Sequence, residues 1–171
     1  MKVVLVGYMG CGKSVVAREL AKRMGMKSLE LDEIIEKKCQ MPLTKIFETK
    51  GELYFRTLEH EIFKQLLNEE ADGIISTGGG TPCYFNNHEF LQQNGIYSIY
   101  LKAPVEVLYQ RLKKEKTKRP MIAKIHEEDL KEFIAKHLFE RSNYYTKAKF
   151  TIAIAAKSPA EIVDELLNLL A

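Results

Sequence analysis

Residues 7 to 14 read Gly7-Tyr8-Met9-Gly10-Cys11-Gly12-Lys13-Ser14, which is G-x-x-x-x-G-K-[ST], the pattern of a phosphate-binding P-loop. Just upstream, Lys2-Val3-Val4-Leu5-Val6 is short, apolar and β-branched, as a buried parallel strand should be. Just downstream, Val16, Leu20 and Met24 recur at the spacing of one helical face. Strand, loop and helix together are the context this motif requires. Glycines at 7, 10 and 12 let the backbone take positive φ and bring its N–H groups close to phosphate oxygens. The helix N-terminus beyond adds positive potential. In such a loop Lys13 reaches the β- and γ-phosphates of ATP, and the Ser14 hydroxyl binds Mg2+. Cys11 fits as a small residue inside the loop, though a thiol near a helix N-terminus can also be reactive.

A chain of 171 residues, 46% of them hydrophobic, is long enough to bury a real core and is not a disordered sequence. It reads as a single domain, residues 1–171. No apolar run approaches the roughly 20 residues of a membrane span, and no charged n-region with a cleavage site precedes the first strand. Cys11, Cys39 and Cys83 are odd in number and scattered, which fits a reducing cytoplasm better than a disulfide framework or a metal site. The net charge of +3 conceals an asymmetry. Residues 111–124 hold seven basic residues against one acid, so positive charge is concentrated where an anionic ligand can meet it.

Strand patterns fall at Lys2–Val6, Ser28–Leu31, Gly73–Thr77, Ile96–Leu101 and Phe150–Ala155. Helical patterns start near Lys13 and at Asp32–Cys39, Glu52–Asn68, Pro104–Lys114, Glu127–Tyr145 and Pro159–Leu170. Ser158, Pro159 and Glu161 form a capping-box signature for the last of these. The alternation predicts an α/β fold, a five-stranded parallel sheet flanked by helices on both faces. Ligands in such sheets bind at the C-terminal ends of the strands. Residues 113–126 have weak periodicity interrupted by Pro120, and read as a mobile basic loop suited to closing over phosphates.

Three strand ends carry candidate chemistry. Strand alternation would put Glu30 and Asp32 on one side, near the P-loop. One of the two carboxylates can hold Mg2+ through water while the other receives a hydroxyl proton; Asp32 can equally cap the following helix. Gly78-Gly79-Gly80 exposes backbone N–H groups and leaves space for a small molecule, unless it is a plain flexible turn. That apolar strand ends without the Asp of an ordinary Walker B motif, so Glu30 and Asp32 are the carboxylates available to a metal. Arg56 and Arg141 lie in helical segments. Either can fork a carboxylate or phosphate, and Glu59 lies three residues beyond Arg56, within reach on a helix.

In combination these residues resemble the shikimate kinase family. The match comprises GYMGCGKS at 7–14, ELD at 30–32, FRTLE at 55–59, STGGGTP at 76–82, RP at 119–120 and RSNYY at 141–145. The resemblance implies a P-loop kinase of the nucleoside-monophosphate-kinase type with a mobile lid at about 113–126 and substrate-binding helices at about 32–68. The implied reaction moves the γ-phosphoryl group of ATP to the 3-hydroxyl of shikimate, in aromatic amino acid biosynthesis. Lys13, Asp32 and Arg119 would be catalytic. Asp32, Arg56, Gly78, Gly79, Gly80 and Arg141 would bind shikimate. Gly10, Cys11, Gly12, Lys13, Ser14, Val15, Arg111, Arg119 and Ser158 would bind ATP, and Ser14 and Glu30 would serve Mg2+. The family usually has Asp-x-Asp where this chain has Glu30-Leu31-Asp32.

Three other readings compete. A gluconate kinase of the same fold would share the P-loop and lid but not the two arginines with the glycine triplet, although gluconate also carries a carboxylate. A nucleotide-dependent nucleic-acid binder would use the basic stretch, which contains no aromatic for base stacking. A silent ATP-binding protein would lack Lys13, Asp32 or Arg119, and all are present. With no sustained heptad and no partner surface evident, the expectation is a cytoplasmic monomer acting on ATP and shikimate, without nucleic acid or membrane.

Overall fold

Val3 to Val6 are fully buried in the computed structural model, which describes residues 1–171. They form most of β1 (Lys2–Val6), the central strand of a five-stranded sheet. A strand covered on both faces has no solvent side, so no polar residue alternates with the apolar ones. The chain continues through α1 (Lys13–Met24), β2 (Lys27–Glu30), α2 (Leu31–Cys39), α3 (Leu43–Lys50), α4 (Glu52–Asn68) and β3 (Gly73–Ser76). It then forms α5 (Asn87–Phe90), β4 (Ile96–Lys102), α6 (Val105–Glu115), α7 (Pro120–Ala123), α8 (Glu127–Tyr145), β5 (Phe150–Ala153) and α9 (Pro159–Leu170).

The strand order is β2-β3-β1-β4-β5 and every pairing is parallel. Leu5 pairs with Ser76 of β3 on one side and Ile99 of β4 on the other. The winding therefore reverses beside β1, and the crevice beyond the C-terminal ends of its neighbours is where ligands bind in this architecture. The P-loop follows β1, Gly78–Gly80 follow β3, and Glu30 ends β2. All three open into that crevice region.

Helix α1 buries Val16, Ala17, Leu20 and Ala21 and packs against α9, which buries Ile162, Val163 and Leu166. The capping box of α9 is formed: Glu161 N–H donates to Ser158 Oγ at 3.2 Å, and Ser158 N–H donates to the Glu161 carboxylate at 2.7 Å.

Two expectations change. The helix read from Asp32 starts one residue earlier, at Leu31, and β2 stops at Glu30, so Asp32 lies in the first turn of α2 and strand alternation does not pair it with Glu30. The segment 113–126 is largely helical rather than a loop. α6 runs to Glu115, a 3-10 turn covers Lys116–Lys118, and α7 follows. Pro120 interrupts the periodicity yet starts α7, the helix position that tolerates it, and fully buried Ile122 anchors the turn. Helices α3 and α5 went unread. The first buries only Ile46, and the second has four residues, too few to show a period.

Ser158→Ala removes the acceptor of the α9 capping box. It should lower unfolding stability by about 1 kcal/mol in urea titration. An unchanged midpoint would show that the box contributes nothing.

Candidate active site

The P-loop carries φ of 82° at Gly10 and 95° at Gly12, the left-handed region that a side chain disfavours. Lys13 is buried, and its Nζ donates to the carbonyl oxygens of Gly7 at 2.6 Å and Tyr8 at 3.2 Å. The ammonium thus lies within the curve of the loop. Arg111 Nη1, from α6, donates to the Gly10 carbonyl at 3.1 Å, which puts a second cation on the loop's rim. Cys11 is buried with its sulfur 3.7 Å from Lys13 Nζ. Val15 is 51% exposed. The Ser158 hydroxyl is engaged in its cap and makes no hydrogen bond to residues 7–14.

Ser14 Oγ donates to Glu30 Oε2 at 3.0 Å, while Glu30 Oε1 is buried with no partner. An orphaned carboxylate oxygen beside a hydroxyl suits a hard divalent cation. No group of three or more His, Cys, Asp or Glu could hold a metal alone. The donor set therefore fits an ion that also takes phosphate and water ligands.

The glycine triplet faces three functional side chains. A Cβ on Gly78 would lie 3.1 Å from Asp32 Oδ1, and one on Gly79 would lie 3.3 Å from Arg141 Nη1. On Gly80 it would stand 2.6 Å from Arg56 Nη2, too close for a non-bonded carbon, so the guanidinium would have to shift. Asp32, Arg56 and Arg141 therefore come from α2, α4 and α8 onto one short backbone strip.

The two arginines differ in their support. Arg56 is buried and donates to Glu59 Oε1 at 2.8 Å, with its guanidinium 4.1 Å from the Tyr84 ring centroid. Glu59 is itself buried, and its Oε2 accepts from Thr81 Oγ1 at 2.9 Å. The i,i+3 pair within reach in the sequence is thus a buried one, in which loss of one partner costs about 3–5 kcal/mol. Arg141 is also buried but forms no salt bridge. Tyr145, one turn beyond it, donates its hydroxyl to the Gly79 carbonyl at 2.5 Å. Glu59 was legible as the i+3 neighbour of Arg56. Thr81 and Tyr145 lie inside the STGGGTP and RSNYY stretches but carried no role of their own there, and Tyr84 carried no local signal.

Asp32 caps nothing, since the N-cap of α2 is Glu30 and no side chain accepts there. Burial first, then the nearby Glu59 charge, raises its pKa to about 6, against the opposing pull of Lys13 and Arg56. Arg119 pairs within its own segment. Its Nε and Nη2 both lie 2.9 Å from Glu115 Oε2, an i,i+4 pair more than a third exposed.

Because folding raises the Asp32 pKa, folding favours its protonated form. The stability this confers is present below pH 4 and is lost as pH rises through about 6. Asp32→Asn should therefore melt higher than the parent at pH 8 and lose that advantage at pH 4. An equal difference at both pH values would rule out a strained Asp32 ionisation.

A shikimate kinase family model matches residues 9–171 of this chain. A shikimate kinase of Flavobacterium johnsoniae is 51% identical over 170 residues, spanning 99% of each chain. The crystal structure of shikimate kinase from Bacteroides thetaiotaomicron superposes with a TM-score of 0.90 at 30% identity, covering 99% of this chain and 98% of that one. Shikimate kinase from Acinetobacter baumannii in complex with shikimate gives a TM-score of 0.87 at 34% identity, covering 99% of this chain and 92% of that one. With the P-loop, the glycine strip and the buried arginines in one crevice, the chain belongs to the shikimate kinase family of ATP-dependent phosphotransferases.

Proposed function

We propose that this chain transfers the γ-phosphoryl group of ATP to the 3-hydroxyl of shikimate, giving shikimate 3-phosphate and ADP, with the residues of the crevice dividing the work as follows. Arg141 carries this reading: it is a buried guanidinium without a carboxylate of its own, aimed at Gly79 beside the Arg56 guanidinium at Gly80. Two planar forks converging on bare backbone suit a substrate carboxylate held in bidentate fashion. Gly78, Gly79 and Gly80 let the ring lie against the main chain because no Cβ intervenes.

Asp32 takes the proton of the acceptor hydroxyl. A pKa of about 6 leaves it ionised at neutral pH yet near the value at which a base works best. Lys13 holds the β- and γ-phosphates, the backbone of Gly10 to Val15 cradles them, and Arg111 adds positive charge at the rim. The 155–159 turn, including Ser158, lies on the adenine side. Ser14 and Glu30 would hold Mg2+, with the free Glu30 oxygen accepting from its water shell. That ion, when bound, neutralises charge on the phosphates.

The lid, about 113–126, delivers Arg119 to the β,γ-phosphates during transfer. Its pair with Glu115 is exposed and of the i,i+4 kind, worth about 0.3–0.5 kcal/mol, so a polyphosphate easily outcompetes it. The 32–68 segment forms the acid-substrate side of this one domain. Three free thiols support a reducing cytoplasm, and no helix is long and apolar enough to cross a membrane. The enzyme works as a monomer on two small substrates, with no role for nucleic acid.

The direct test is ADP release from Mg-ATP with shikimate and, in parallel, with gluconate. Release that responds to shikimate is expected; release that responds only to gluconate would reassign Arg56 and Arg141. Arg119→Ala should lower kcat about 10³-fold or more and weaken ATP binding far less, because its contact forms in the transition state. A loss confined to ATP affinity would reject that role.

A further inference from the structure

Helix α8 presents His137, Arg141 and Tyr145 at one-turn intervals along one face. Tyr145 ties the helix to the Gly79 carbonyl. His137 ties it to the P-loop: the Tyr8 hydroxyl lies 2.8 Å from His137 Nδ1, and the two rings meet edge to face at 5.3 Å and 84°. Tyr8 is 1% exposed, and Phe133 also packs on the imidazole at 5.2 Å. The P-loop pattern demands no particular side chain at position 8. Of the side-chain hydrogen bonds made by α8, this is the one that reaches residues 7–14.

We propose that the Tyr8–His137 contact is a latch between the phosphate loop and the carboxylate clamp, with both side chains acting as positioning residues for Arg141. Arg56 is fixed by Glu59 and Tyr84, whereas Arg141 has no carboxylate partner and takes its place from the helix that carries it. A latch one turn before Arg141 and the Tyr145 bond one turn after it set how the guanidinium stands over Gly79. Burial and the neighbouring Arg141 charge lower the His137 pKa to about 4, so the imidazole is neutral and does not repel the guanidinium. Because Tyr8 belongs to the loop that receives ATP, the loop's geometry is transmitted to the acid-substrate side through one hydrogen bond.

The proposal rests on the reading that Arg141 binds the shikimate carboxylate, and steady-state kinetics of the full chain separate the two. Tyr8→Phe and His137→Phe should each raise the shikimate KM about three- to tenfold while moving the ATP KM by less than about twofold. The double variant should be no worse than either single one, since both remove the same contact. His137→Asn, which returns a polar group near the Nδ1 position, should recover most of the loss. Tyr8→Phe acting on the ATP KM alone, or additive effects in the double variant, would reject the latch. An Arg141→Ala variant with raised shikimate KM beside a silent Tyr8→Phe would overturn the latch and leave the clamp standing. An Arg141→Ala variant with unchanged shikimate KM would overturn the clamp itself. Should His137→Phe fail to fold, Tyr8→Phe decides alone, because it deletes a single oxygen.

Discussion

The crevice is organised around keeping two guanidinium groups out of water without neutralising both. Desolvating one ion costs several kcal/mol even after the protein relaxes. Arg56 offsets this with the Glu59 carboxylate and the face of Tyr84. Arg141 has neither, and its helix is held by His137 one turn before it and Tyr145 one turn after it. In the proposed function an incoming carboxylate would supply the missing charge and the matching geometry at once. A polyol without an acid would leave the forks unmatched, so the unpaired guanidinium would select the substrate.

The nucleotide half of the crevice follows a different logic. There the backbone does most of the work, and side chains wait in weak or internal contacts. Lys13 rests on the carbonyls of Gly7 and Tyr8, and Arg119 on an exposed Glu115. Both can transfer to phosphate oxygens at small expense. The two halves meet at Asp32. Its pKa is raised by burial and by Glu59 and Glu30, and is lowered by Lys13 from the nucleotide side and Arg56 from the acid side. Filling either half alters the field at the proposed base. Glu30, longer by one methylene than the aspartate usual in the family, still reaches the Ser14 hydroxyl at 3.0 Å.

Much of this was legible in the sequence. The long periodic segments announced themselves, and α4, α8 and α9 begin and end where their patterns and caps do. The P-loop, the glycine triplet and the arginines were readable because each has a residue type that its chemistry demands. What local patterns missed is equally specific. The helix that carries Asp32 was readable, but the strand alternation that paired it with Glu30 fails, because β2 is only four residues long and stops at Glu30. Residues 113–126 are largely helical because Ile122 finds a buried site, a tertiary fact that a weak period conceals. Tyr8 and His137 lie 129 residues apart in the chain, and nothing in either neighbourhood points to the other.

The claim that two buried arginines read the substrate's carboxylate is tested most directly by comparing kcat/KM for shikimate with that for its neutral carboxamide. The ring, the 3-hydroxyl and the size are kept, and only the charge and one acceptor are lost. The account expects a drop of roughly 10²–10³-fold, since charge-assisted bonds to buried groups are at stake. Values equal to within about threefold would contradict it, because the buried Arg141 guanidinium, which has no carboxylate partner, cannot be indifferent to the charge it faces.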